Sequence, residues 1–436
     1  MFNPVDNRGL YNMVDGFTRT IQPLSDYYLQ LAKQCNRVSD SLSLPGGNPF
    51  ISPDKMQKAF DQPRKTLRSM AGTFYFNHLL TTTYKKPEFG IEEIKIEDDY
   101  VDIVQKITCK KSFCNLIHFK KMDEKIYPKM LIVAPMSGHY ATLMRETVRD
   151  MLPFYDVYIT DWKSARDVPL TEGAFDLDEF SQYMISFFQM LGPNLNVMAV
   201  CQSTVPVLVA LSLMSTENDP NLPKTVTMLG GPIDTNKAPT AVNEMATTRG
   251  DDWFKQNLIS IVPHSYPGYM RLVYPGFIQL ASFMNMNIQK HMKAIAGAIK
   301  NFSENKTEEA FKTVAFYQEY FSVMDLTAEF YMQTINTVFQ KKLLVNGRLK
   351  AHGKDVLLRD IKNTAILAIE GGKDDITGVG QTKSVLTLCK NLPDDMKRYV
   401  LAEHVGHYGL FNGSKFREII CPEIQNFTEQ FNKDVH

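Results

Sequence analysis

Asn196-Val197-Met198-Ala199-Val200-Cys201-Gln202-Ser203-Thr204-Val205-Pro206-Val207-Leu208 reads as a buried strand, a sharp turn at Cys201 and the first turns of a helix. The run through Val200 is apolar on both alternating faces, as a strand covered on both sides must be. Pro206 falls in the first turn of the following segment, where its missing N–H costs nothing. A nucleophile held on such a strand-to-helix elbow needs small residues two before and two after it, because those positions press against neighbouring backbone. Ala199 and Ser203 meet that demand without being glycine. Two readings stay open for Cys201: a nucleophile at the apex, or a buried structural thiol. Ser203 is a weaker rival, since centring the turn on it would put β-branched Val205 in the second crowded position. A cysteine at the apex would attack as its thiolate, with a neighbouring imidazole taking the proton, and would form a thioester acyl-enzyme.

Outward from the elbow, short apolar runs alternate with longer amphipathic segments, the pattern of βαβ units and a mostly parallel sheet. The spacing predicts strands at Met130–Ala134, Val157–Thr160, Val197–Val200, Val226–Leu229 and Ala365–Ile369, with a further apolar run at Tyr399-Val400-Leu401. It predicts helices over Tyr140–Leu152, Leu177–Leu191, Thr204–Met214 and Val379–Lys390. Upstream, Ile91, Ile94, Ile96, Val101, Ile103, Val104 and Ile107 alternate with charged residues, as half-buried antiparallel strands do.

The late strands supply partners in the order nucleophile, acid, histidine. After Ala365–Ile369 comes Glu370-Gly371-Gly372-Lys373-Asp374-Asp375-Ile376-Thr377, a turning loop with a carboxylate pair. Asp374 is preferred as the acid because one variable residue and then an aliphatic one, Ile376, follow it; Asp375 stays open, as does a solvated-turn role for either. After Tyr399-Val400-Leu401 comes Ala402-Glu403-His404-Val405-Gly406-His407-Tyr408-Gly409, and the glycine-flanked His407 is preferred over His404 as the base. An oxyanion hole would draw one backbone N–H from Gln202 and a second from the loop Pro135-Met136-Ser137-Gly138-His139, with Met136 first choice and Ser137 next. Ser137 and His139 are candidate substrate contacts, His139 equally a structural histidine. The reading is an α/β-hydrolase fold: a mostly parallel sheet with flanking helices.

Composition is consistent with one elaborated enzyme. The chain has 436 residues, with 48 basic and 48 acidic, so no net charge draws it to nucleic acid. Its 27 Phe, 19 Tyr and 22 Met suffice for a large core. Six scattered cysteines suit a reducing compartment better than a disulfide framework. The amino terminus lacks a signal peptide's basic and apolar regions, and no apolar run reaches the roughly 18 residues of a membrane span. A cytoplasmic location is the expectation. His404-x-x-His407 has no third ligand cluster, and Gly378-Val379-Gly380 lacks the third glycine of a dinucleotide fingerprint, so neither metal nor cofactor is expected. The text divides into an N-terminal helical extension (1–88) with a loop at 43–53, a catalytic core (89–236 and 360–436) and an inserted helical lid (237–359). Within that insertion Tyr269–Phe277, with Phe283, Met284 and Met286, reads either as an apolar polymer-facing surface or as ordinary lid core.

The chain resembles the intracellular poly(3-hydroxybutyrate) depolymerases of bacteria. The resemblance rests on Ala134-Pro135-Met136-Ser137-Gly138-His139-Tyr140, Tyr158-Ile159-Thr160-Asp161-Trp162, Val200-Cys201-Gln202, Met228-Leu229-Gly230-Gly231-Pro232-Ile233-Asp234, Glu370 to Gly378 and Val405-Gly406-His407-Tyr408-Gly409. It implies Cys201, Asp374 and His407 as a triad that hydrolyses amorphous storage polyester at the granule surface. In this chain Ser203 stands where family members often carry proline. Two alternatives remain at this stage: a polyhydroxyalkanoate synthase-like acyltransferase and a granule-binding protein without catalysis. Homo-oligomerisation is left open.

Overall fold

The computed structural model describes residues 5–42, 53–82 and 84–432. The loop read at 43–53 lies, up to residue 52, outside them. The chain opens with two long helices, α1 (Val5–Ser41) and α2 (Pro53–Thr81). Nine strands then form one sheet: β1 (Glu93–Ile96), β2 (Asp99–Lys110), β3 (Cys114–Lys121), β4 (Lys129–Val133), β5 (Asp156–Trp162), β6 (Leu195–Val200), β7 (Thr225–Leu229), β8 (Ala365–Gly371) and β9 (Lys397–Ala402). Their spatial order is β1-β2-β3-β5-β4-β6-β7-β8-β9. The first three pair antiparallel with one another, and β3 with β5; from β5 to β9 every pairing is parallel. This is the α/β-hydrolase fold.

The expected strands and the apolar run at 399–401 all lie in this sheet. The central ones are legible because they are covered on both faces: β6 and β7 are buried at every residue. Strand β3 was not anticipated. Its buried Phe119, Ile117 and Leu116 are interrupted by His118 and followed by two lysines, which breaks both the run and the alternation.

The parallel crossovers carry α3 (Arg145–Met151), α4 (Leu177–Leu191) and α5 (Thr204–Thr216). Asp176 caps α4 by accepting the Glu179 N–H at 2.9 Å. Helix α5 is buried from Thr204 through Met214, apolar on all sides as an interior helix is. The helix expected over 379–390 shrinks to Val385–Leu388, preceded by turns. The N–H groups of Gly380, Thr382 and Lys383 point at the Glu370 carboxylate.

The chain divides into two compact units, and the division differs from the one expected. One unit comprises Met1–Asn7, Glu88–Pro275 and Met324–His436 and contains the sheet; the other comprises Arg8–Pro87 and Gly276–Val323. The segment 237–359 is shared between the two units. Its middle folds with the N-terminal helices, and its flanks, including a small antiparallel sheet of Ser260–Ile261, Leu272–Tyr274 and Leu326–Thr327, belong to the sheet unit.

The helical unit joins α1 and α2 to α6 (Gly276–Met286), α7 (Ile288–Ser303) and α8 (Thr307–Phe321). Its interior is aromatic. Tyr75 stacks on Phe302 at 5.4 Å and meets Phe311 edge-on, while Phe76 packs edge-on against Tyr317. Among the described residues no helix is long and apolar enough to cross a membrane.

Candidate active site

In parallel sheets of this kind, reactive loops gather at the carboxyl ends of the strands. Five such loops converge here, because β4, β6, β7, β8 and β9 are consecutive neighbours. The turn after β6 carries Cys201, with φ of +54°. That left-handed conformation is strained for a non-glycine residue, and it turns the chain from Val200 into a single 3-10 turn, Cys201–Ser203, and then α5.

Ser203 does more than stay small. Its hydroxyl oxygen accepts the Val200 N–H at 2.9 Å and lies 2.9 Å from the Val133 carbonyl at the end of β4. One side chain thus ties the elbow to the neighbouring strand. The φ of Ser203 is −68°, the angle a proline ring enforces, so this backbone suits either residue. Thr204 donates its hydroxyl to the Cys201 carbonyl at 2.8 Å, closing the turn from the other side.

The loop after β8 holds Asp374, whose side chain is fully buried. One carboxylate oxygen accepts the N–H groups of Ile376 and Thr377 at 2.9 and 2.8 Å; the other receives His407 Nδ1 at 2.7 Å. Asp375, next in sequence, is exposed, and His404 is exposed while His407 is buried. The two loops are stitched together by the N–H of Lys373 donating to the Val405 carbonyl at 3.0 Å.

His407 also lies near Cys201, whose thiol favours the protonated ring. With Nδ1 committed to Asp374, Nε2 is the ring nitrogen left for the thiol. Burial pushes the imidazole toward its neutral form, but the charges of Cys201 and Asp374 and the hydrogen bond to Asp374 outweigh that, holding its pKa well above the ordinary histidine value.

Two glycines make room for this arrangement. A β-carbon on Gly230, which has φ of +55°, would stand 2.8 Å from Leu410 Cδ1, 3.3 Å from Asp374 Oδ2 and 3.4 Å from His407 Cε1. One on Gly231 would overlap the Thr204 hydroxyl at 1.9 Å. The glycine pair after β7 was quoted in the sequence as part of a motif, without a role; its position beside the acid and histidine is a tertiary fact.

The loop after β4 lies beside the elbow. Met136 and His139 are buried and Ser137 is partly exposed. Its first residue, Ala134, is held at both backbone groups by β5: the N–H donates to Thr160 Oγ1 and the carbonyl accepts from Trp162 Nε1, each at 2.9 Å. Met324 donates its N–H to the Gly138 carbonyl at 2.7 Å. Gln202 occupies the first turn after the strand, where N–H groups have no acceptor within the turn. Within the small antiparallel sheet and the loop before it, Tyr269, Met270 and Leu272 are exposed while Arg271, Val273 and Tyr274 are buried. Among the described residues no cluster of three or more His, Cys, Asp or Glu could hold a metal.

Residues 230–432 match the family model described as PHB de-polymerase C-terminus. That segment carries Asp374 and His407; Cys201 precedes it. No curated protein matches the chain. Similar solved structures include a serine hydrolase from the polyaromatic-hydrocarbon-degrading bacterium Cycloclasticus zankles (13% identity, 76% of this chain and 99% of that one, TM-score 0.42). A monoacylglycerol lipase from Paleococcus ferrophilus (13%, 70% and 96%, 0.40) and carboxyl esterase 2 from Tuber melanosporum (12%, 77% and 89%, 0.38) are further examples. Over residues 230–432, a little under half of its length, the chain is similar to the C-terminal part of the PHB de-polymerases.

Proposed function

We propose that this chain hydrolyses the ester bonds of amorphous poly(3-hydroxybutyrate) inside the cell through a Cys201-His407-Asp374 triad. The observation that carries the reading is the buried His407, bonded on Nδ1 to Asp374 at 2.7 Å, with Cys201 near enough to raise its affinity for a proton. A thiol paired with an oriented imidazole at a strained elbow is an activated nucleophile.

In this scheme His407 takes the Cys201 proton and the thiolate attacks an ester carbonyl of the polymer. The N–H groups of Gln202 and Met136 receive the developing oxyanion. As the tetrahedral adduct collapses, the ester C–O bond breaks and imidazolium His407 passes its proton to the departing hydroxyl end of the chain. A water then adds to the thioester with His407 as base, and the C–S bond breaks, freeing the carboxylic acid and restoring the thiol. Asp374 keeps the ring oriented and offsets its charge throughout. Ser137, partly exposed in the proposed oxyanion loop, would touch the acyl chain. His139 is buried, which favours a structural part. The exposed Tyr269, Met270 and Leu272 support contact with an apolar polyester surface such as a storage granule.

The test is acid release from amorphous polymer granules. The wild-type chain should release 3-hydroxybutyrate or its oligomers, and Cys201→Ala should release none while still sedimenting with granules. Unchanged release by Cys201→Ala would remove the cysteine mechanism. Coenzyme A release from 3-hydroxybutyryl-coenzyme A, without acid from polymer, would assign the chain to acyl transfer instead.

A further inference from the structure

The proposed triad leaves one buried carboxylate unused. Glu370 lies one residue before the end of β8, four positions before Asp374, and is 1% exposed. Its Oε1 accepts the N–H groups of Thr382 and Lys383 at 2.7 and 2.9 Å; its Oε2 accepts the Gly380 N–H and the Tyr399 hydroxyl, both at 2.8 Å. Four donors fill the lone-pair positions of one carboxylate. Three of them are backbone groups ten to thirteen residues downstream, so the carboxylate draws the far end of the Asp374 loop back to its start.

Thr382 carries the connection further. Its hydroxyl accepts the Gly231 N–H at 2.8 Å and lies 3.0 Å from the Gly231 carbonyl. Gly231 packs directly on Thr204, whose hydroxyl closes the Cys201 turn, and Gly230 packs on Asp374 and His407. Asp374 is bonded within its own loop to the N–H groups of Ile376 and Thr377, which orients the side chain but does not place the loop. The route from Glu370 through Thr382 to Gly231 ties the loop to β7 and the elbow.

We propose that Glu370 is a positioning residue for the Asp374–His407 pair: its buried carboxylate closes the acid loop, and Thr382 hooks the closed loop onto Gly231 beside Cys201. The inference rests on the triad reading above. Its reach is through Asp374, since the hydrogen bonds of Glu370 go to Gly380, Thr382, Lys383 and Tyr399 and not to the thiol or the imidazole.

The experiment compares Glu370→Gln, Thr382→Val, Thr382→Ser and Cys201→Ala with the wild-type chain on amorphous polymer. Glu370→Gln keeps the shape but turns an amide donor toward backbone donors, and kcat should fall about 10- to 100-fold with KM within about threefold. The alkaline limb of kcat/KM should move to lower pH, because a loosened Asp374 holds the His407 proton less firmly. A purely structural role would lower Tm without moving that limb. Thr382→Val should show the same displaced limb, and Thr382→Ser, which retains the hydroxyl, should restore most of the loss. If Glu370→Gln does not fold, Tyr399→Phe, which removes one of the four donors, should show a smaller displacement in the same direction. Wild-type kcat and an unmoved limb in Glu370→Gln and Thr382→Val, with Cys201→Ala inactive, would overturn the positioning role alone. Wild-type activity in Cys201→Ala would instead overturn the triad and the positioning role with it.

Discussion

A β-carbon added to Gly230 would stand 3.4 Å from His407 Cε1, on a backbone whose φ of +55° already disfavours any side chain. The residue after β7 is thus pinned by the acid–histidine pair that later strands deliver. Gly230→Ala should lower stability by about 1–2 kcal/mol from the left-handed backbone, with the contact to Leu410 added. It should also reduce kcat on polymer at least tenfold while KM changes little, because the ring and carboxylate must shift. Thermal unfolding and steady-state kinetics check this; a variant with wild-type kcat would show that the pair tolerates displacement.

The adjacent carboxylates make a controlled comparison. Asp374 is buried and bonded to His407, whereas Asp375 is exposed. Asp374→Asn should lower kcat by about 10⁴-fold, since an amide cannot balance the imidazolium and favours the wrong tautomer. Asp375→Asn should stay within about threefold of wild type. Equal losses in both would deny Asp374 its special place.

His407 gives a pH signature. Its pKa in the folded chain is raised above the unfolded value of about 6.5 by Cys201 and Asp374 against the opposing effect of burial. A raised folded-state pKa means more protons bound folded than unfolded, so the stabilisation is complete below about pH 6.5 and is lost as pH rises through the folded value. Urea midpoints should therefore decline on the alkaline side in wild type, and the decline should flatten in His407→Gln. An identical decline in both would show that other groups carry it.

Ser203 supplies a fourth test. Ser203→Ala leaves the N–H of the fully buried Val200 without its acceptor. The expected cost is about 1–3 kcal/mol of stability, with a smaller proportional loss of kcat than Gly230→Ala because Cys201 keeps its Thr204 contact. A denaturant titration that finds no destabilisation would leave the hydroxyl as a bystander.

The part of this fold legible in the residues alone is the part governed by local pattern. Strands covered on both faces must be largely apolar, so β4, β6, β7 and β8 could be read, and with them the loops where Cys201 and Asp374 stand; the run Tyr399-Val400-Leu401 marked the strand before His407. Small residues at 199 and 203 and glycines around His407 marked tight turns for the same steric reason. Tertiary structure decided what depends on partners distant in the chain. The side chain of Glu370 gathered the N–H groups of Gly380, Thr382 and Lys383, a contact across ten to thirteen residues that no periodicity records. Strand β3 formed because β2 and β5 flank it, despite its broken pattern. Residues 276–323 packed their aromatic faces with the N-terminal helices rather than with the rest of the insertion, because apolar periodicity reports that a face must be buried and not against what. The meeting of Gly230 with Asp374 and His407 is of this second kind: three loops, far apart in sequence, brought together by the order of strands in one sheet.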